Sequence, residues 1–581
     1  MNKKASMLLR LWPFMKKRAW LLLLCCVLVL VINFSELAKP YILEIVIDRY
    51  LVTGKADAGL DSVWAMALAY FLCVLIGSGT NIYEAVLVNR TGQSILMDLR
   101  RAVFSHIQKM PMSTLDRYSS GRLITRATND VEALNELFSD VLVNLFKDVF
   151  MLLGIVATML IMNWRLALVA FTGVPLVFLV TFVIRGKLRR NFVVIKALIG
   201  RINGFFAENL SGMRLVQIFR REKEKLREFD QMNDDYYKAN LTQVKMNSLM
   251  RPVMEVINSL VIAALVWFGC RAVGVGGLEV GVLYAFTDYI KRFFEPINDM
   301  AEIYATIQSA VVSTERVFEL LDDKENLEDL DEGQALTQRP KGRIEFQDVW
   351  FAYVPGNWVL RGVNFVIEPG QSVAFVGATG AGKTTIISLV SRFYEIQKGR
   401  ILLDGVDIST LSKRSLRRYV AVVLQDVFLF SGTIAENVRL NDKQITDAEV
   451  DQALQLTCAD AFIRELPEGM ACPVTERGST FSAGQRQLLS FARAIAHDPA
   501  VFVLDEATAS IDTQTEQLIQ QSVKNMSVGR TTIIIAHRLS TIRECDCIFV
   551  MQGGRIVEQG NHEALMAQEG LYYKLHTTQA L

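Results

Sequence analysis

Gly377-Ala378-Thr379-Gly380-Ala381-Gly382-Lys383-Thr384 runs as a glycine, four residues, then Gly-Lys-Thr, the spacing of a phosphate loop. Before it, Gln371-Ser372-Val373-Ala374-Phe375-Val376 reads as a short buried strand. After it, the stretch from Thr385 to Phe393 reads as a helix. The loop thus sits where a strand meets a helix N-terminus, with orphan backbone amides facing outward. Glycines let the backbone curl around a polyphosphate. Lys383 can reach its β- and γ-phosphates, and the Thr384 hydroxyl can hold Mg²⁺. The competing reading is an ordinary glycine-rich turn, and the rest of the second half weighs against it.

Acids follow at the right places. Val501-Phe502-Val503-Leu504-Asp505-Glu506 is an apolar strand that ends in two carboxylates. That places them at the C-terminal edge of a sheet, where open α/β sheets bind ligands. Asp505 can meet Mg²⁺ through its water shell, and Glu506 can polarise a water toward a γ-phosphate. The plainer alternative is an acid pair capping the next helix. A second strand, Thr531-Thr532-Ile533-Ile534-Ile535-Ala536, ends at His537. Its imidazole can steady the same γ-phosphate. Between the two motifs lies Thr480-Phe481-Ser482-Ala483-Gly484-Gln485-Arg486-Gln487, opening a helix from Leu488 to Ala496. Ser482 is placed as its cap, so free amides and a hydroxyl converge on an anion-sized spot. The chain's own loop already serves one nucleotide, so this helix is expected to face a nucleotide held by another subunit.

The first half is different in kind. The chain has 581 residues, 51% of them hydrophobic, and the apolar excess lies before the phosphate loop. Five stretches are long enough to cross a bilayer and a sixth is plausible: 19–47, 62–88, 134–162, 166–184, 253–268 and 280–297. Only Asn163-Trp164-Arg165 separates the third from the fourth, which makes a tight hairpin. The basic N-terminus leads into an apolar run with no small-residue cleavage site, so it reads as a first membrane helix. Arg90, Arg100, Arg101, Lys109, Arg117, Arg122 and Arg126 crowd one connection; Arg185, Lys187, Arg189, Arg190, Lys196, Arg201 and Arg214 crowd another. The positive-inside rule then puts both termini, both long connections and the soluble half in the cytoplasm. Each long connection breaks at its tip, at Ser113–Gly121 and at Glu208–Met213. These tips are either solvated turns or docking points, expected near Gln425 and Asp426.

Lys plus Arg number 62 and Asp plus Glu 61, a net charge of +1 that gives no reason to invoke nucleic acid. The 8 cysteines suggest no disulfide framework. The expected division is a membrane domain over 1–320, an acidic linker over 321–341 and an α/β domain over 342–581.

These motifs, in this order, resemble the ABC transporter superfamily, and specifically an exporter-type half-transporter. The resemblance covers nearly the whole chain. It implies a multi-domain fold: an all-α six-helix transmembrane domain of exporter type, then an α/β P-loop NTPase nucleotide-binding domain. By that likeness Gly377, Ala378, Thr379, Gly380, Ala381, Gly382, Lys383 and Thr384, with Thr385 behind them, hold ATP. Tyr353 matches the aromatic that stacks on adenine. Thr384, Gln425 and Asp505 hold Mg²⁺, Gln425 being the Q-loop residue. Glu506 is the catalytic carboxylate, Asp512 the D-loop aspartate and His537 the switch histidine. Ser482, Gly484 and Gln485 match the signature motif that faces the partner's nucleotide.

The family signature is usually Leu-Ser-Gly-Gly-Gln, whereas here Phe481 and Ala483 replace the leucine and first glycine. If that glycine needs positive φ, Ala483 costs about 1 kcal/mol or more. This departure is similar to heterodimeric multidrug exporters, so a second, different half-transporter is the favoured partner, with a homodimer possible. The implied activity is ATP-driven export of small amphipathic drugs or lipids by alternating access, in a multi-pass protein of the cytoplasmic (inner) membrane. A siderophore importer of exporter-like fold and a gated channel or regulator with little turnover are the alternatives. Candidate cargo residues are Asp148 in the third span and Asp288 and Glu295 in the sixth, with Phe286, Tyr289, Phe293 and Phe294 near the latter two. Lys291 and Arg292 lie within reach for intrahelical pairing, so the acids can instead be neutralised internally.

Overall fold

The computed structural model describes residues 7, 9–52, 63–274, 278–323, 327, 329–505, 513–535 and 539–579. They form two compact units: Met1–Phe104 with Ile124–Asp322, and Ser105–Leu123 with Asp323–Leu581. The first is helical. Its long helices are α1 (Ala19–Val46), α2 (Val63–Gln108), α3 (Leu142–Phe171), α4 (Gly173–Ser211), α5 (Glu222–Gly274) and α6 (Val280–Leu321). Among the described residues, four stretches are long and apolar enough to cross a membrane: Ala19–Val52, Val63–Gln108, Ser120–Phe171 and Glu222–Val273. The sixth expected span lies on α6, and the fourth runs from the end of α3, past the break at Asn163, into α4. Their sequences pass quickly into charged turns such as Arg185 to Arg190 and Asp288 to Glu295, which dilutes the apolar signal.

The hairpin at Asn163 has a local cause. Asn163 leaves the helical region (φ −160, ψ 104), and its Oδ1 accepts from the backbone amides of Arg165 and Leu166, both at 3.1 Å. It is an N-cap placed inside an apolar run, and it restarts the helix in a new direction. Before α3, π-helical turns at Arg126–Asp130 and Leu137–Val141 interrupt the helix. Each inserts one extra residue into a turn, under-winding the helix locally, and re-aims the side chains beside it. In the first half of α5, the α4–α5 pair is joined by Asn191, whose amide donates to Ala239 O at 2.8 Å. The core of this unit gathers side chains of α3, α5 and α6. Phe286 and Tyr289 are fully buried there, and the Tyr289 hydroxyl donates to Leu37 O at 2.7 Å. Phe293 and Phe294 belong to the same core, so the four aromatics expected around the cargo acids pack between helices instead.

The second unit holds three sheets, the smallest a pairing of β7 (Gly432–Thr433) with β8 (Pro473–Val474). β1 (Ile344–Phe351), β2 (Leu360–Ile367), β4 (Lys398–Leu403) and β5 (Val406–Asp407) form an antiparallel sheet in the order β2-β1-β4-β5. The central sheet has the order β12-β11-β3-β10-β9-β6. It is built from β3 (Ser372–Gly377), β6 (Val420–Val423), β9 (Val501–Asp505), β10 (Thr531–Ile535), β11 (Cys547–Gln552) and β12 (Arg555–Gly560). Its inner strands are apolar on both faces, as a parallel sheet covered on both sides requires. Alternation assigns the faces. Val373, Phe375, Val503, Ile533, Ile535 and Phe549 enter one buried cluster with the antiparallel sheet and the helix after the phosphate loop. Ala374, Phe502, Leu504, Ile534 and Val550 enter a second cluster, with Leu488, Leu489 and Phe491.

Candidate nucleotide site and membrane cavity

Parallel register sets the positions of the chemistry. Ile535 pairs with Phe375 on one side and with Asp505 on the other. The phosphate loop, Asp505 and the end of β10 therefore lie at one edge of the sheet, the carboxyl edge. α7 (Lys383–Val390) starts there. Its cap is Gly382, at φ 103, and Gly377 closes β3 at φ 152. A Cβ on Gly377 would meet Met551 O at 2.3 Å, so glycine is required both by conformation and by space. Ala378, Thr379, Gly380 and Thr384 face solvent, while Ala381, Gly382, Lys383 and Thr385 are buried.

Lys383 is 7% exposed, and its ammonium donates to Gly377 O at 2.7 Å and Ala378 O at 3.2 Å. Burial lowers its pKa from the ordinary lysine value, and the charge of Asp505 partly opposes that. The ammonium thus bonds the loop's own carbonyls at the centre of the cradle. An entering phosphate offers it stronger, anionic acceptors. The loop amides and the α7 N-terminus supply the remaining positive field. These features fit a nucleoside triphosphate. The donor set of Thr384, Gln425 and Asp505, a hydroxyl, an amide and a carboxylate, is all oxygen and suits Mg²⁺. Gln425, just past β6, is exposed.

Tyr353 is 45% exposed, and its hydroxyl lies 3.3 Å from Thr385 Oγ1. Its ring is held edge-on by Phe351 and Tyr394, at centroid distances of 4.8 and 5.0 Å. Nearly half of Tyr353 stays exposed, which leaves surface for a planar partner.

The signature segment opens α8 (Ala483–Ala496). Ser482 caps it in a full capping box: Gln485 N donates to Ser482 Oγ at 3.2 Å, and Ser482 N donates to Gln485 Oε1 at 2.9 Å. Gly484 is buried against the helix body. Ala483 is the first helical residue and is not among the residues with positive φ. The expected backbone penalty for alanine is therefore absent, because this position is helical. Glu506, Asp512 and His537 lie outside the described residues.

In the membrane unit, a cavity of about 730 Å³ opens between α1, α2, α3 with the helix leading into it, and α6. Asp148 and Glu295 line it. Asp288 does not, among the lining residues described; its carboxylate accepts from Arg292 Nε at 2.9 Å, and Arg292 also bonds Glu36 at 2.6 Å. Sequence reasoning missed Asn33 and Glu36. Both interrupt the most apolar run of the chain three residues apart, which was the available signal. It missed Tyr394 as well, for which no local signal exists.

Comparison with known proteins finds a membrane region followed by a nucleotide-binding region. Residues 22–297 match the ABC transporter transmembrane region, and residues 360–509 match the ABC transporter family. A Bacillus subtilis protein, named as a probable multidrug resistance ABC transporter ATP-binding/permease protein (YheH), is 42% identical over 85% of this chain and 73% of its own. The fatty acid ABC transporter ATP-binding/permease protein of Mycobacterium bovis is 39% identical over 90% and 82%. A solved bacterial Atm1-family ABC exporter with ATP bound superposes with a TM-score of 0.79 at 28% identity, covering 97% of this chain and 98% of that one. The second unit is accordingly an ATP-binding domain whose ATPase activity is coupled to transport. With a membrane module and a phosphate-cradling ATPase in one polypeptide, this chain belongs to the ABC transporter family as an exporter-type half-transporter.

Proposed function

We propose that the chain, paired with a second half-transporter, exports amphipathic molecules by alternating access, and that its cargo enters the cavity beside Asp148 and Glu295. The observation that supports this is the lining itself. Four acids (Glu36, Glu136, Asp148, Glu295) and two bases (Lys147, Arg292) line the cavity, all within the stretches expected to span the membrane. Ionisable groups there are costly and mark substrate paths. Arg292 is already engaged by Glu36 and Asp288, so the excess charge of the lining is negative. An amphipath with a cationic or amine head suits it. The relatives' names, multidrug in one case and fatty acid in another, share amphipathic cargo but not its charge.

In this reading Glu506 polarises the attacking water, His537 steadies the γ-phosphate, and Asp512 belongs to the subunit contact. Thr384, Gln425 and Asp505 hold Mg²⁺, which supplies charge neutralisation when bound. Ser482, Gly484 and Gln485 face the partner's nucleotide. The second tip, with Leu210, Leu215, Ile218 and Phe219 exposed in the single chain, docks on a nucleotide-binding domain. A distinct partner now rests only on the Ala483 methyl crowding a phosphate, so either a homodimer or a heterodimer satisfies the proposal.

The test is transport in vesicles with a cationic and a neutral amphipathic dye. Asp148→Asn and Glu295→Gln should each slow the cation at least fivefold and leave the neutral dye and basal ATPase within twofold. Equal loss for both dyes would reject the cation site and make these acids structural.

A further inference from the structure

The last two helices of the ATP-binding domain are α9 (His562–Ala567) and α10 (Leu571–Gln579). They carry His562 and His576, two of the chain's 5 histidines, and neither has a part in the phosphate chemistry. The two imidazole centroids lie 5.3 Å apart. With metal–nitrogen bonds of about 2.1 Å, two imidazoles on one tetrahedral or octahedral ion put their centroids roughly 4.5–5.5 Å apart.

Caps and core hold both rings in place. Asn561 caps α9, its Oδ1 accepting from Ala564 N at 2.9 Å, which sets His562 at the first helical position. Glu558, on β12, caps α10: its carboxylate accepts from the amides of Leu571 at 2.5 Å and Tyr572 at 3.0 Å. Leu565 of α9 and Tyr572 of α10 are anchored in the domain's core, 0% and 1% exposed. His576 follows Tyr572 by four residues and so lies one turn on along the same face of α10. Side chains on rigid, capped elements can keep the precision that a ligand set needs.

The Tyr572 phenol oxygen lies 2.8 Å from His562 Nδ1. In the tautomer whose Nδ1–H donates to that oxygen, Nε2 keeps its lone pair. Such an outer partner orients metal-ligating histidines in general. Burial first, then His576 and Arg543, lower the His562 pKa, while Glu563 opposes them. The ring is therefore neutral at pH 7, as a metal ligand must be. The positive charge of Arg543 near the pair works against a cation, and the negative charge of Glu563 offsets it.

We propose that His562 and His576 form a two-nitrogen site for a transition-metal dication: Zn²⁺, Ni²⁺ or Cu²⁺. Imidazole nitrogens suit these ions, whereas Mg²⁺ and Ca²⁺ take oxygen ligands. Among the described residues, no third His, Cys or carboxylate joins the pair within ligand distance. Structural zinc sites close with four protein ligands. This one leaves the other positions to water, so its ion exchanges with the medium, and α9 and α10 are joined only while the metal is plentiful.

The probe is Cu²⁺. The full chain, freed of any affinity tag and of its cysteines, is placed in lipid nanodiscs. Cu²⁺ is titrated, and electron paramagnetic resonance counts the nitrogens bound to it. The parent should hold Cu²⁺ through two imidazole nitrogens. His576→Gln should weaken binding at least tenfold and reduce the count to one or none, with ATP binding within twofold of the parent as the check on folding. Tyr572→Phe keeps the ring and loses the oxygen that orients His562, so it should weaken Cu²⁺ about tenfold. The parent's affinity and nitrogen count retained in either variant would overturn the site as drawn. So would a parent chain that binds no Cu²⁺ at about 100 µM, because the two rings would then only pack against each other.

Discussion

At the scale of single residues, Lys383 and Ala483 carry the clearest consequences. Lys383 bonds Gly377 O and Ala378 O, so removing it loosens the loop as well as deleting a charge. Lys383→Ala should weaken ATP binding about tenfold or more, about 1.4 kcal/mol, in a direct titration. Glu506→Gln should bind ATP nearly as the parent does and hydrolyse it about 100-fold more slowly or worse, since an amide cannot act as the base. Turnover near that of the parent would remove Glu506 from the mechanism. Ala483→Gly should leave hydrolysis within twofold, because the position is helical and needs no glycine. The signature's departure from the family pattern was visible in the sequence. Its conformational harmlessness was not, because a residue's φ depends on where the helix begins, and the cap at Ser482 decides that.

Among the elements, the membrane helices and the central sheet show what periodicity can and cannot tell. The turn at Asn163-Trp164-Arg165 was legible because one capping residue interrupts a long apolar run. Asn163→Ala should cost about 1 kcal/mol through loss of the cap and lower the thermal midpoint in detergent. The strands of the sheet were legible as apolar runs ending at glycine or acid. The direction in which α6 faces was not. Phe286, Tyr289, Phe293 and Phe294 share its sequence neighbourhood with Asp288 and Glu295, yet they pack into the helix core, and only Glu295 of the two acids lines the cavity. The missing information was the Glu36–Arg292 pair, which joins α1 to α6 across most of the membrane unit's sequence. Arg292→Ala leaves Glu36 and Asp288 without this partner. It should lower stability and slow cationic and neutral dyes equally, whereas a selective change would give Arg292 a role in reading cargo.

For the molecule as a whole, the order of motifs was enough to read two modules and the family, because phosphate chemistry fixes residue types and spacing. Cargo chemistry does not, since a cavity is assembled from helices far apart in sequence, and Asn33 and Glu36 acquire meaning only beside Asp148 and Glu295. The hydrogen bond from Tyr394 to Asp116, at the tip of the first long connection, is of the same kind, where Gln425 and Asp426 were the expected docking residues. The central claim is that hydrolysis at the Gly377–Thr384 loop drives amphipathic cations out of the cytoplasmic side. It is tested most directly by following a lipophilic cationic dye into inside-out vesicles that contain the chain and its partner. The account predicts accumulation that needs Mg²⁺-ATP, stops with Glu506→Gln despite retained ATP binding, and falls at least fivefold with Glu295→Gln. Accumulation in the Glu506→Gln vesicles equal to that of the parent, or ATP-driven movement of the dye only in right-side-out vesicles, would contradict it.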